Sequence, residues 1–217
     1  MKKISFVVLG AIIFFCSIAI AEEGMTKSLA IEFEDTLTDT SGHSPVLAKN
    51  IKFVEGKSGK GVMLDAETVL AYETKGILTS KVGVIDFWFK PNWDGMEKKT
   101  RFLMVDDENH FQIMKTEYGS ICFRIFTDDW KNGLLLNIPV NNWKPGQWHH
   151  IIVDWDVEGE TVLQIDQQVA KGWVKLGGST VTLGKTIFFG PSRNASADSV
   201  ANGTIDQLLM FVKKEKK

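Results

Sequence analysis

The sequence predicts an all-β domain, a sandwich or a barrel, and three observations point there. Short runs alternate apolar and polar residues, clusters of turn residues separate them, and beyond residue 21 no stretch of about a dozen residues keeps helical spacing without a Gly, Pro or Asn-Gly interruption. Strand-like runs fall at 28–34, 61–64, 69–73, 82–90, 101–106, 110–114, 120–127, 149–155, 161–165, 180–183, 186–189 and 203–211. Turn residues such as Thr40-Ser41-Gly42, Lys57-Ser58-Gly59-Lys60-Gly61 and Gly177-Gly178 lie between them. Many short strands at even spacing are the pattern of a closed or two-layered β fold.

The first residues stand apart. Met1-Lys2-Lys3 is a basic start, 4–20 is an apolar run, and Ala19-Ile20-Ala21 is a small-x-small site followed by Glu22-Glu23. That order predicts a secretory signal peptide over 1–21, a secreted or periplasmic product, and no membrane insertion once it is cleaved. A short linker, 22–28, then leads to a domain over 29–212 and a basic tail over 213–217. Removing 21 of 217 residues leaves 196, enough for one domain with a full core. Loss of Lys2 and Lys3 takes the formal net charge from −2 to about −4. A mildly acidic surface argues against nucleic acid as a partner.

Cys16 leaves with the leader, so Cys122 becomes the only thiol and an internal disulfide is excluded. It sits in an alternating run, 120–126, where a small buried side chain is expected. In 149–155 the alternation sends His149, Ile151, Val153 and Trp155 to one face and His150, Ile152 and Asp154 to the other. The two adjacent histidines therefore cannot share a metal. In 82–90, Ile85, Phe87 and Phe89 share a face, and Asp86 and Trp88 share the other.

The sequence has seven tryptophans. Trp88, Trp148 and Trp155 lie in strand patterns and are expected in the core. Trp93, Trp130, Trp143 and Trp173 lie beside polar or turn residues in expected loops, where they either anchor the loop or stack on sugar rings. Trp93 and Trp130, with Asp128 and Asp129, are the candidate ligand surface. Asp106, Asp107, Glu108, Asn109 and His110 form an acidic cluster, expected as a solvated hairpin loop, with metal binding the other reading.

The order of segments carries a resemblance. Phe33-Glu34-Asp35-Thr36-Leu37-Thr38-Asp39-Thr40-Ser41-Gly42, Phe53-Val54-Glu55-Gly56-Lys57-Ser58-Gly59-Lys60-Gly61-Val62 and Val84-Ile85-Asp86-Phe87-Trp88-Phe89-Lys90-Pro91 come first. Gly146-Gln147-Trp148-His149-His150-Ile151-Ile152-Val153-Asp154-Trp155-Asp156 follows, then Ile187-Phe188-Phe189-Gly190 and Asn202-Gly203-Thr204-Ile205-Asp206-Gln207-Leu208. From Leu29 to about Phe211 the chain resembles the laminin-G-like jelly rolls of the concanavalin A-like lectin and glucanase superfamily. That resemblance implies a two-sheet antiparallel β-sandwich. It departs at Asp166-Gln167-Gln168, where the family has a tight Asp-Gly turn, which suggests a longer or differently shaped loop.

The family's glucanases set an acid and a nucleophile on alternate residues of one strand, roughly 5 Å apart. No such run occurs here; Asp154-Trp155-Asp156-Val157-Glu158 and Asp106-Asp107-Glu108 are the nearest. The resemblance also implies a structural calcium ion near the first and last strands, at Glu34 and Asp206, which needs about six to eight oxygens. The other reading of Asp206 is a carboxylate capping backbone amides. The expectation is a secreted, non-catalytic recognition module that binds a glycan or a surface protein. A self-associating envelope or matrix subunit is the second reading, and a polysaccharide hydrolase with displaced groups the third.

Overall fold

The computed structural model describes residues 24–190 and 199–213. The expected leader and residues 214–217 of the tail lie outside the described residues. Fifteen strands make up the described fold, in two antiparallel sheets with no α-helix. The first sheet runs β13 (Gln168–Trp173), β12 (Glu160–Ile165), β11 (His149–Asp156), β6 (Val82–Pro91), β15 (Gly203–Lys213), β4 (Lys60–Leu64) and β3 (Phe53–Glu55), with β1 (Met25–Ile31) also paired to β15. The second runs β10 (Gly133–Pro139), β9 (Ser120–Phe126), β8 (Phe111–Lys115), β7 (Arg101–Asp106), β14 (Thr186–Phe189), β5 (Val69–Glu73) and β2 (Leu47–Lys49). The expected two-sheet antiparallel sandwich is what forms.

Period-two patterning decides which side of each strand is buried. Ile85, Phe87 and Phe89 on β6 and Ile151, Val153 and Trp155 on β11 meet Phe111, Ile113, Phe123 and Ile125 of the second sheet in one continuous core. At its centre Trp155 meets Phe111 edge-on at 5.1 Å, and Phe111 meets Phe123 at the same centroid distance. The Trp155 indole N–H donates to the Thr79 carbonyl at 3.1 Å, so its one polar atom is satisfied.

Several elements differ from the sequence expectation. β1 starts at Met25, so the supposed linker 22–28 is part of the first sheet from that residue on, and Lys213 of the tail still belongs to β15. β2, β3, β10 and β13 form where no strand was expected, whereas 180–183 is not a strand. The turn after β12 is not longer than the family's: Ile165 pairs with Gln168, and Asp166 takes the left-handed conformation (φ 52°) in place of a glycine. A short polar side chain tolerates that region, and Asp166 fixes itself there by accepting from the His150 N–H at 2.9 Å and pairing with His149 at 2.8 Å. Trp88 and Trp148, expected in the core, are only half-buried. Trp88 stacks on His150 at 4.6 Å on the outer side of the first sheet, under the ammonium of Lys57 at 4.3 Å.

β15 changes partner along its length. Gly203 to Ile205 pair with β4, and Leu208 to Lys213 pair with β1, while β6 runs along the other side. A bulge at Asp206 and Gln207 (φ 50°) marks the switch.

Replacing Trp155 by Ala removes the central ring and leaves a cavity, and is expected to cost about 3–5 kcal/mol. Trp173→Ala, at a side chain 63% exposed, is expected to stay within about 0.5 kcal/mol. Urea unfolding followed by far-UV circular dichroism measures both.

Candidate binding site

The exposed aromatic surface of the second sheet is built around the loop 127–132, between β9 and β10. Thr127 and Asn132 close it: the Thr127 N–H donates to the Asn132 carbonyl at 3.1 Å, and the Asn132 N–H donates to the Thr127 hydroxyl at 3.1 Å. Within it the Trp130 N–H donates to the Thr127 carbonyl at 2.8 Å, and Trp130 has φ 59°. A bulky residue in that region is strained, so the surroundings must hold it.

Two adjacent carboxylates do so. Asp129 accepts from the Thr127 hydroxyl at 2.7 Å, the Lys131 N–H at 3.1 Å and the Ser179 hydroxyl at 2.8 Å. Asp128 accepts from the Thr180 hydroxyl at 2.6 Å and from the Thr182 N–H and hydroxyl at 2.7 and 2.9 Å. The Asp128 N–H also donates to the Thr180 carbonyl. The 179–182 segment is therefore strapped to the loop by side chains instead of by a ladder. Its polar alternation is the spacing of those hydroxyls, which explains why it resembles a strand in sequence.

The strap continues through the acidic cluster at 106–110. Asp106 is fully buried, accepting the Phe111 and Gly184 N–H groups at 2.9 and 2.7 Å, and Asp107 accepts the Thr186 N–H at 3.2 Å. The cluster was expected to be solvated. Its leading acid instead closes the hairpin, and burial raises that carboxyl above its ordinary range. His110 Nδ1 lies 2.9 Å from the Thr182 carbonyl, and its ring packs against Trp130 at 4.7 Å.

Trp130 also packs on Phe126 at 5.3 Å, yet remains 51% exposed. Beside it lies an open cleft of roughly 290 Å³, lined by Phe126, Trp130, Leu134 and Leu135 with Lys131, Asn132, Gly133 and Lys175. Leu135 is 52% exposed. The lining holds no carboxylate, thiol or histidine. What the cleft offers is an apolar ring face, an amide and two ammonium groups.

Of the residues expected to form the ligand surface, Trp130 lines this cleft. Asp128 and Asp129 are beside it, with their oxygens committed to the loop and the strap. Trp93 is not on it. That ring is 3% exposed, stacks on Trp143 at 5.7 Å and donates its N–H to the Ala201 carbonyl at 2.8 Å. Anchoring the 92–95 turn to the core is the role the structure gives it. Phe126 reads in sequence as a strand residue with no ligand role, Lys131 and Lys175 carry no motif, and Leu135 was missed because β10 was missed. Its Leu134-Leu135-Leu136 run hides the alternation, and only pairing with β9 sends Leu135 outward while Leu136 goes in.

Glu34 and Asp206 do come together, across the turn 56–60. Asp206 accepts the N–H groups of Lys57 and Ser58 on one oxygen, at 2.7 and 3.1 Å, and that of Gln207 on the other at 2.7 Å. Glu34 accepts the Lys60 N–H at 3.1 Å. A Cβ on Gly56 or Gly59 would run into these oxygens, so the turn is cut to receive carboxylates. Burial, with Glu34 nearby, raises the Asp206 carboxyl above its ordinary range. Against the expected calcium, the Asp206 lone pairs face N–H groups, and among the described residues no three His, Cys, Asp or Glu side chains are placed to share an ion. Amide capping is the arrangement present.

Cys122 is buried, its thiol donating to the Asn137 side-chain oxygen at 2.7 Å, and burial pushes its pKa up to about 11. Burial outweighs the nearby Arg124 charge, so the thiol lacks the exposure a reactive thiolate needs.

The fold and the cleft together define a β-sandwich domain with a preformed aromatic surface at the outer face of one sheet. No protein-family model matches the chain, and no curated protein does. Solved structures match its fold. The binding domain of botulinum neurotoxin serotype D/C VPI 5993 superposes with a TM-score of 0.68 at 16% identity, over 88% of this chain and 49% of that one. The botulinum neurotoxin DC binding domain in complex with rat synaptotagmin II gives 0.67 at 16%, over 88% and 49%. The same domain in complex with SialylT gives 0.66 at 14%, over 88% and 48%. This chain thus spans about half the length of the structures it matches.

Hydroxyl and N–H donors hold the Asp128 and Asp129 carboxyls below their ordinary value of 3.8, that of Asp129 at about 2. Folded values below the unfolded ones mean that their contribution is complete above about pH 4 and fades as the pH falls toward 2. The indole NMR signal of Trp130 is expected to hold its position down to about pH 4 and move below it. Asp128→Asn is expected to produce a similar displacement already at pH 7.

Proposed function

We propose that this protein is a non-catalytic recognition module, acting outside the cytoplasm, and that it binds a carbohydrate with a sugar ring laid on Trp130. The observation that carries this reading is a large ring, half-exposed, held in a strained backbone conformation by a dense set of hydrogen bonds beside an open cleft. A side chain fixed in advance loses little freedom on binding, which is where a shallow site gains its affinity. Sugars present apolar C–H faces rimmed by hydroxyls, and the cleft pairs an aromatic face with amide and ammonium donors. The matched structures are binding domains, two of them complexes, which supports recognition over catalysis. The basic-apolar leader pattern at 1–21 supports export. Within this reading the chain is a divergent jelly roll of the concanavalin A-like, laminin-G-like kind, supported by the two antiparallel sheets and the ordered motifs.

A second reading has its own observation. Trp173 and Val169, on the outer side of strand β13, are 63% and 53% exposed, and such an outward apolar patch suits self-association through side chains in an envelope or matrix assembly.

On an oligosaccharide array and by calorimetry, the protein is expected to bind a subset of glycans, and Trp130→Ala to weaken that binding by roughly tenfold or more. Trp173→Ala is expected to leave it unchanged. Oligomers that grow with concentration in light scattering, disappear in Trp173→Ala and accompany no glycan binding would favour the second reading.

A further inference from the structure

We infer that the cleft beside Trp130 selects an acidic glycan, one that carries carboxylate or sulfate groups. The inference rests on the carbohydrate reading above and narrows it. The protein is acidic overall, with 27 Asp and Glu against 25 Lys and Arg. The cleft reverses that sign, because Lys131 and Lys175 line it and no acid does. Some surface lysines are paired with acids, among them Lys52 with Asp65, Lys144 with Asp94 and Lys171 with Glu160. Among the described residues, no ion pair engages Lys131 or Lys175. Asp129 lies close enough to Lys131 for the two charges to feel each other. Its oxygens, however, face Thr127, Ser179 and the loop backbone, so the ammonium stays available for direct contact.

A second observation comes from the strand beside the cleft. Arg124 on β9 lies opposite Leu135, its guanidinium 4.8 Å from the Phe126 ring that lines the cleft. Its Nε is buried and has no hydrogen-bond acceptor. A buried donor without a partner costs about 1–3 kcal/mol, and native structures keep few of them. The guanidinium donates from Nη1 to the Met114 sulfur at 3.4 Å and keeps its charge, so an anionic group over Phe126 and Leu135 would lie near a third cation. The cleft thus combines an aromatic face with two lysines, and a guanidinium lies behind the Phe126 ring. A neutral sugar uses the ring face alone, and an acidic one uses the lysines as well.

The test compares three oligosaccharides of equal length, one carboxylated, one sulfated and one neutral, by calorimetry against the full chain at low and high salt. The wild-type protein is expected to bind one or both acidic ligands at least about tenfold more tightly than the neutral one, and the excess is expected to shrink at high salt as the charges are screened. Which acidic ligand binds identifies the group recognised. The double variant Lys131→Gln/Lys175→Gln is expected to bind all three alike. Both side chains are exposed, so the fold should survive, and a circular dichroism spectrum checks it. Lys131→Arg/Lys175→Arg is expected to keep the preference. Equal wild-type affinity for acidic and neutral ligands, or a preference that survives the glutamine pair, overturns the inference and leaves carbohydrate binding standing. If no glycan binds, or if Trp130→Ala changes nothing, the carbohydrate reading itself falls.

Discussion

A buried carboxylate sits where the longest strand changes neighbours, and the first sheet is organised around it. β15 is paired with β6 along one side, but along the other it must hand over from β4 to β1. Such a handover breaks the ladder and would leave amides unpaired. Asp206 fills the break, taking three N–H groups, two of them from the turn 56–60 that folds over it. A buried anion is costly unless its oxygens are satisfied, and here they are. The bulge, the left-handed Gln207, the glycines of the turn and the position of Lys57 above Trp88 all follow from where that carboxylate lies.

The second sheet uses the same chemistry for a different end. Asp106, Asp107, Asp128 and Asp129 all accept from the strap between β13 and β14 or from the turns beside it. In the first sheet a carboxylate repairs a ladder. In the second, carboxylates replace one, holding a segment that lacks strand pairing against the loop that carries Trp130. The acids that sequence inspection sets aside for ligands or metals are thus largely structural, and the groups left facing the cleft are aromatic, aliphatic and cationic.

The layered fold was legible because burial on a pleated surface writes a period of two into the chain, and β6, β9 and β11 carry it plainly. Legibility failed where other constraints set the pattern. β10 is apolar on both faces near its start, since half-buried Leu134 packs against the core while Leu135 is exposed, and both line the cleft. β2 and β3 are three residues each, too short to show a period. The Thr180 to Leu183 alternation serves carboxylates across a gap, not a neighbouring strand. Of the candidate site, Trp130 could be suspected from its polar neighbours. Trp93 has similar neighbours, and only the core stack with Trp143 separates the two. The cations of the cleft could not be found in advance, because Lys131 and Lys175 are 44 positions apart and meet only when β10 and β13 close one side of the sandwich.

That closure has a consequence for the life of the molecule in a crowded setting. The last strand of each sheet on this flank leans on the other: Gly133 bridges to Lys175, and a Cβ on Gly172 would come within 2.9 Å of a Leu134 methyl. Two potential docking rails for foreign β-strands are thereby turned toward one another, which blunts templated stacking of copies. The seam has some give, since a methyl group added at Gly172 would meet only the flexible ends of Leu134 and Leu136.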